Sequence, residues 1–181
     1  MKRYAQLVEE GLKSVSDYTD YDANAIAQLA SRGSMLWETY ADMTAGMSRK
    51  LNAIIVDAFA KPGEFDITGM KARMRELVSE VADARLETIA RTETLAAVNA
   101  GREAGYLADF GTEGKYIFLH PEDFRECPEC AAVVDQIGDG KTLQEVKDTI
   151  RRVSVARNGP GWKPRDFVVH PQCRGVLLRV E

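Results

Sequence analysis

The chain has 181 residues, 45% of them hydrophobic, with 24 Lys/Arg against 28 Asp/Glu. That length and apolar content supply a real core and exclude wholesale disorder. No run approaches the roughly 18 apolar residues of a membrane span, and three cysteines, two of them three positions apart, are poor material for a secreted disulfide framework.

Lys2 and Arg3 are not followed by the apolar stretch of a signal peptide. The expectation is a soluble protein made in the cytoplasm with reduced thiols. The charge is uneven: residues 1–140 hold 15 Lys/Arg and 24 Asp/Glu, and residues 141–181 hold 9 and 4. An acidic body therefore carries a basic end, which is either a solvated face or a surface for phosphates or an acidic protein.

From Asp22 to about Ala60, apolar or small residues recur at Ile26, Leu29, Gly33, Leu36, Tyr40, Met43, Met47, Leu51, Ile54 and Ala58. The alternating three-four spacing predicts a helix that buries one stripe. Pro62 and Gly63 end it. A second stripe through Met70, Met74, Leu77, Val81, Ala84, Thr88, Leu95 and Val98 predicts another helix, from about Asp66 or Thr68 to about Leu107. Two helices of about 40 residues would each be about 60 Å long, and a short loop between them predicts an antiparallel hairpin. So slender a hairpin leaves its stripes partly bare. Self-association, or packing on another protein, is the expected remedy, with a short helix over residues 2–15 covering part of the stripe.

After Ala108 the character changes. Tyr116 to Leu119 reads as a short strand entering a turn at His120-Pro121. Thr142 with Glu145 has capping-box spacing and opens a helix to about Val155. Residues 157–166 are loop by composition, and Val176 to Val180 form a final strand. The fold class expected is α+β, mainly α. Residues 1–109 form a long antiparallel helical hairpin, and residues 110–181 a small zinc-clamped α+β module.

The clamp is inferred from "CPEC" at 127–130 and "HPQC" at 170–173. Cys127 and Cys130 have the spacing at which two sulfurs reach one tetrahedral ion, and His170 and Cys173 supply an imidazole and a third thiolate at the same spacing. Four such ligands close the coordination shell, and zinc is the natural occupant in a structural role. Two other readings remain open at this point. The cysteines can be small buried residues beside a surface histidine, or Cys127 and Cys130 a redox dithiol, although no βαβ pattern precedes them. His120 is an alternative fourth ligand.

Two histidines in all leave neither an open metal position nor a nucleophile with its base, so no enzyme is expected. Gly101 and Gly105, four apart, suggest close helix packing. Glu76, Glu80, Asp83 and Glu87 read as a solvated helix face.

In order, "IARTETLAAVNAGREAGY" (89–106), "DFRECPEC" (123–130) and "HPQCRGVLLRV" (170–180) resemble the phage Mu F-like, or SPP1-type, minor head proteins of tailed bacteriophages, also called phage head morphogenesis proteins. Arg91, Thr92, Glu93, Asn99, Gly101 and Arg102 match the first motif, Asp123, Arg125, Cys127 and Cys130 the second, and His170, Pro171, Cys173 and Arg174 the third. The resemblance covers about residues 85–181. It departs at Gly175, where the family pattern has a further cysteine, and residues 1–84 match only in being helical.

What the resemblance implies is a virion protein of the capsid interior, attached to the portal protein and acting in head morphogenesis and in DNA packaging or ejection. It implies neither a small-molecule substrate nor a membrane, and contact with packaged DNA is compatible with it. Arg91, Glu93, Asn99, Arg102, Asp123, Arg125 and Arg174 are then structural or interface residues. Arg91 and Arg102, eleven apart, share a helix face expected to dock on the metal module, Arg102 through Asp123. The alternative is a zinc-containing DNA-binding or regulatory module using Arg151, Arg152, Arg157, Lys163 and Arg165 on phosphates.

Overall fold

The structure, a computed structural model, describes residues 44–59, 67–78, 82–121, 127–159 and 167–180. These residues are mainly helical, with α1 (Ala45–Phe59), α2 (Ile67–Leu77), α3 (Asp83–Phe110), β1 (Tyr116–Leu119), α4 (Pro128–Ile137), α5 (Leu143–Asn158) and β2 (Val176–Arg179). None of the helices among them is long and apolar enough to cross a membrane.

Neither long helix expected from the stripes is continuous. Thr44 lies outside the helix, and its Oγ1 accepts the Met47 N–H at 3.2 Å. A threonine in that position caps a helix start, so α1 begins at Ala45. The second stripe is interrupted at Ala82, whose ψ of 139° is extended backbone ahead of α3. The apolar repeat runs straight across this break because the helices on either side bury the same stripe. Met70, Met74 and Val78 from the α2 side join Leu86, Ile89, Ala90 and Ala97 of α3 and Leu51, Ile54 and Ile55 of α1 in one apolar cluster. Three helices thus share the packing expected of a two-helix hairpin. The short helix predicted over residues 2–15 lies outside the described residues.

Ion pairs rim this cluster: Arg73 with Asp57 at 2.6 Å, Lys71 with Glu87 at 2.8 Å and Arg75 with Asp83 at 2.7 Å. They lie on the surface, as expected for the acidic helix face, and contribute little beyond register.

The second half of α3 belongs to a different interior. Ala96 and Tyr106 of α3 cluster with Tyr116 and Phe118 of β1, Cys130, Val133 and Ile137 of α4, Val146 and Ile150 of α5, and Phe167, Val168, Val169, Cys173 and Leu177. The two strands pair antiparallel, with Phe118 opposite Leu177 and Tyr116 opposite Arg179. Tyr116 also exchanges backbone hydrogen bonds with Lys141 at 2.8 and 3.0 Å, which ties the turn before α5 to the sheet. Gly101 and Gly105 are buried on α3.

α5 starts on the capping box read from the sequence. The Thr142 Oγ1 accepts the Glu145 N–H at 3.4 Å, and the Glu145 carboxylate accepts the Thr142 N–H at 3.0 Å. α4 was not anticipated. Cys127 is its N-cap, and Pro128 follows in the first turn, where the missing N–H costs nothing.

Candidate metal centre

Two pieces of irregular chain meet at the centre: the start of α4 and the segment 167–175 between α5 and β2. An irregular segment cannot satisfy its own backbone groups, so buried ones must be met from elsewhere. Here two helices supply the partners. Asn99 of α3 is fully buried; its Nδ2 donates to the carbonyls of Phe167 at 3.3 Å and Gly175 at 3.0 Å, and its Oδ1 accepts the Leu177 N–H at 3.0 Å. One turn further along, Arg102 Nη1 donates to the Leu177 carbonyl at 3.3 Å.

Toward the start of α3, the Thr92 Oγ1 accepts the Gln172 N–H at 3.0 Å and donates to the Thr88 carbonyl at 2.7 Å. The Gln172 side-chain amide donates to the Thr88 Oγ1 at 2.6 Å. Thr88, Thr92, Asn99 and Arg102 are spaced four, seven and three apart, which puts them on one helix face. They form a polar ladder along which the loop is fastened.

From the other side, Ser154 Oγ of α5 donates to the Val169 carbonyl at 2.6 Å, and Asn158 Nδ2 donates to the same carbonyl at 3.2 Å. The fastening holds two non-glycine residues at positive φ, Phe167 at 58° and Gln172 at 62°. Such conformations cost about 1–3 kcal/mol each and persist where surrounding contacts over-determine them.

Held in this way, His170 meets the cysteines. Its Nε2 lies 3.0 Å from the Cys127 Sγ and 3.2 Å from the Cys130 Sγ. Its Nδ1 is 2.7 Å from the Pro171 carbonyl, which can only accept, so Nδ1 carries the proton and the Nε2 lone pair faces the sulfurs. Cys127, Cys130 and His170 have ligand atoms all within 4.8 Å of one another, a group able to hold a metal ion. The Cys173 Sγ lies 3.8 Å from that of Cys130. Tetrahedral ligation at ordinary Zn–S and Zn–N lengths spaces two sulfurs about 3.8 Å apart and a sulfur and a nitrogen about 3.5 Å apart. Cys127, Cys130 and His170 therefore fit such an ion with small adjustments, whereas Cys173 stands beside Cys130 but outside the grouped set.

Backbone N–H groups also point at the sulfurs: Cys130 N–H to Cys127 Sγ at 3.2 Å and Gly175 N–H to Cys173 Sγ at 3.5 Å. The Gly175 donor favours the thiolate form of Cys173. The hydrogen bond shared with Cys130 pulls the Cys173 thiol down from its ordinary value against the cost of burial, with help from the Gly175 and Val169 backbone. The same contact, together with burial, pushes Cys130 up. A cation beside these sulfurs would favour both as thiolates.

The remaining sequence candidates fall elsewhere. His120 is buried, with Nδ1 3.1 Å from the Pro121 carbonyl, and is not one of the grouped ligands. Among the described residues, Arg91 bonds within its own helix. Its Nε donates to Glu87 one turn back at 2.9 Å, because the shorter Thr88 and Thr92 side chains occupy the contact line. Glu93 is buried at 3% exposure, and Arg174 is half-buried beside the loop. Asp123 and Arg125 lie outside the described residues, and so does the Arg102–Asp123 pairing; the recorded partner of Arg102 is the Leu177 carbonyl. Thr88 and Gln172 were missed. Only the four-residue spacing of Thr88 and Thr92 could have hinted at a polar face.

Gly175 has its own explanation. A Cβ there would sit 1.9 Å from the Phe118 Cζ and 2.2 Å from its Cε1. Phe118 is 2% exposed and anchored in β1, so its ring cannot swing away. No cysteine fits at this position.

Comparison with known protein families, curated proteins and solved structures returns no match to this chain.

Proposed function

We propose that the protein is a non-enzymatic structural component of a tailed-phage or prophage head, associated with the portal protein, whose C-terminal half is clamped by a structural zinc ion. Cys127, Cys130, His170 and Cys173 hold the ion. It supplies a cross-link between the start of α4 and the loop before β2, and no open position for chemistry. The observation that carries the reading is the convergence of the three sequence landmarks. Asn99 and Arg102 of the first fasten the backbone beside the third, and His170 of the third faces the cysteines of the second.

Convergence of this kind suits a part built to hold a shape. Its residues are spent on one another and on backbone groups, as expected of a scaffold docking on a larger assembly. The DNA-binding alternative draws less support among the described residues, since Arg152 donates to Gln136 at 2.7 Å and Arg157 pairs with Glu129. Lys163 and Arg165 lie outside them.

The test is co-expression with a tailed-phage portal protein from the same genome, followed by affinity capture and metal analysis of the complex. The expected result is co-purification with about one zinc per chain. A metal-free, fully protected C-terminal half would remove the clamp, and failure to associate would remove the portal role.

A further inference from the structure

The three cysteines at the junction of α4 and the loop 167–175 are not equivalent. Cys127 and Cys130 each meet the His170 imidazole, at 3.0 and 3.2 Å. Cys173 lies outside that group, and the side chain it meets is another sulfur, the Cys130 Sγ at 3.8 Å. A disulfide sets its sulfurs about 2.05 Å apart, so these two must close by about 1.8 Å. Cys173 belongs to neither helix nor strand, and a loop residue can absorb a displacement of that size.

Cys127 is placed differently. Its sulfur is the N-cap of α4 and accepts the Cys130 N–H at 3.2 Å, so turning it onto the Cys130 sulfur would uncap the helix. Between Cys130 and Cys173, access decides which sulfur a small molecule meets first. Cys130 is fully buried, whereas Cys173 lines a cleft of about 730 Å³ between α3 and the loop.

We propose that Cys130 and Cys173 are an oxidation site for small peroxides, closing to a reversible disulfide that joins the start of α4 to the loop before β2. The Cys173 sulfur, as thiolate, attacks one oxygen of hydrogen peroxide, and the O–O bond breaks. Cys173 becomes a sulfenic acid, and the other oxygen leaves as hydroxide and takes up the proton that Cys173 gave up. The Cys130 sulfur then attacks the Cys173 sulfur: the S–S bond forms, the S–O bond breaks, and the departing hydroxide leaves as water with the Cys130 proton. In sum, two thiols and one hydrogen peroxide give one disulfide and two waters; the sulfurs lose two electrons and the peroxide gains them. Loss of two of its four ligands would release an ion held there. The bond spans 43 residues between the same two segments, so the C-terminal half stays tied when its surroundings turn oxidising. The ion's release rests on the zinc reading, and the disulfide rests on the sulfur positions alone.

The test treats the full chain, purified reduced, with hydrogen peroxide, blocks the remaining thiols with N-ethylmaleimide and maps disulfides by peptide mass spectrometry. Released zinc is followed in parallel with a chromogenic chelator. The expected product is a Cys130–Cys173 bond in about tenfold excess over Cys127–Cys130, reversed by dithiothreitol. In urea the excess should invert, because Cys127 and Cys130 are neighbours along the chain. A folded protein that joins Cys127 to Cys130, forms no disulfide, or pairs its thiols as it does in urea overturns the proposal. Zinc-free protein that still forms the Cys130–Cys173 bond would remove the ion and leave the proposal standing; zinc-loaded protein that joins Cys127 to Cys130 would do the reverse.

Discussion

The two halves of α3 lie in two different kinds of interior. In the first half, Leu86, Ile89 and Ala90 pack on the apolar side chains of α1 and α2, with the ion pairs Lys71–Glu87 and Arg75–Asp83 at the rim. In the second, Asn99, Arg102 and the Glu103–Lys147 ion pair bring polar groups into the contact surface itself. The difference follows from what each half faces. A helix satisfies its own backbone and asks only for apolar surface in exchange. The loop 167–175 cannot, and must be met group by group with side chains of the right length at the right height. Apolar packing tolerates repacking, whereas a buried polar ladder specifies one register.

Removing the proposed zinc clamp should separate the halves most widely. Chelation, or Cys130→Ser, is expected to abolish hydrogen-exchange protection over residues 127–180 while residues 45–59 and 67–77 stay protected, because structural zinc supplies about 10 kcal/mol or more to small units. Equal loss in both halves would mean that α3 makes them one cooperative body.

Asn99→Leu should come next. It keeps the volume but strands two carbonyls and one N–H in a dry site, a cost of about 3 kcal/mol or more by denaturant unfolding. Met74→Ala in the other interior should cost a similar amount, about 2–5 kcal/mol, through its cavity. The sharpening measurement is metal affinity, expected to fall in the Asn99 variant and hold in the Met74 variant. Gly175→Ala follows at about 1–3 kcal/mol or more, since its Cβ meets the fixed Phe118 ring and the strand must shift to make room.

The sequence was most legible where structure is decided locally. Thr142 and Glu145 announced α5 because both partners of the capping box lie within one turn. The strands at Tyr116 and Val176 were visible as short apolar runs between turn residues. The helix start at Thr44 and the break at Ala82 were not, because the three-four repeat reports which face is buried and is blind to a discontinuity such as that between α2 and α3, which bury the same face. α4 was passed over because its N-cap is a cysteine, a residue already assigned to a metal, although Pro128 in the first turn was a start signal. At the centre, the spacing of Cys127, Cys130 and His170 was readable as ligand chemistry. The ladder was not: Gln172 meets Thr92 and Thr88 across 80 and 84 residues. Nothing in a threonine's neighbourhood along the chain marks it as a partner for so distant a loop.

The smallest expected effects come from the rim and from one helix end. Thr142→Ala should cost about 1 kcal/mol, with fraying at the start of α5 in hydrogen exchange, because the Oγ1 acceptor of the Glu145 N–H is lost while the backbone half of the capping box stays. Arg73→Ala removes the 2.6 Å pair with Asp57 on the helical body. Both side chains are nearly half exposed, so water already solvates the charges and little is lost when they part. The change should stay below about 1 kcal/mol and shrink further in salt. A larger, salt-insensitive loss would mean that the α1–α2 contact depends on that pair, and the helical half would then be specified by polar contacts as the other half is.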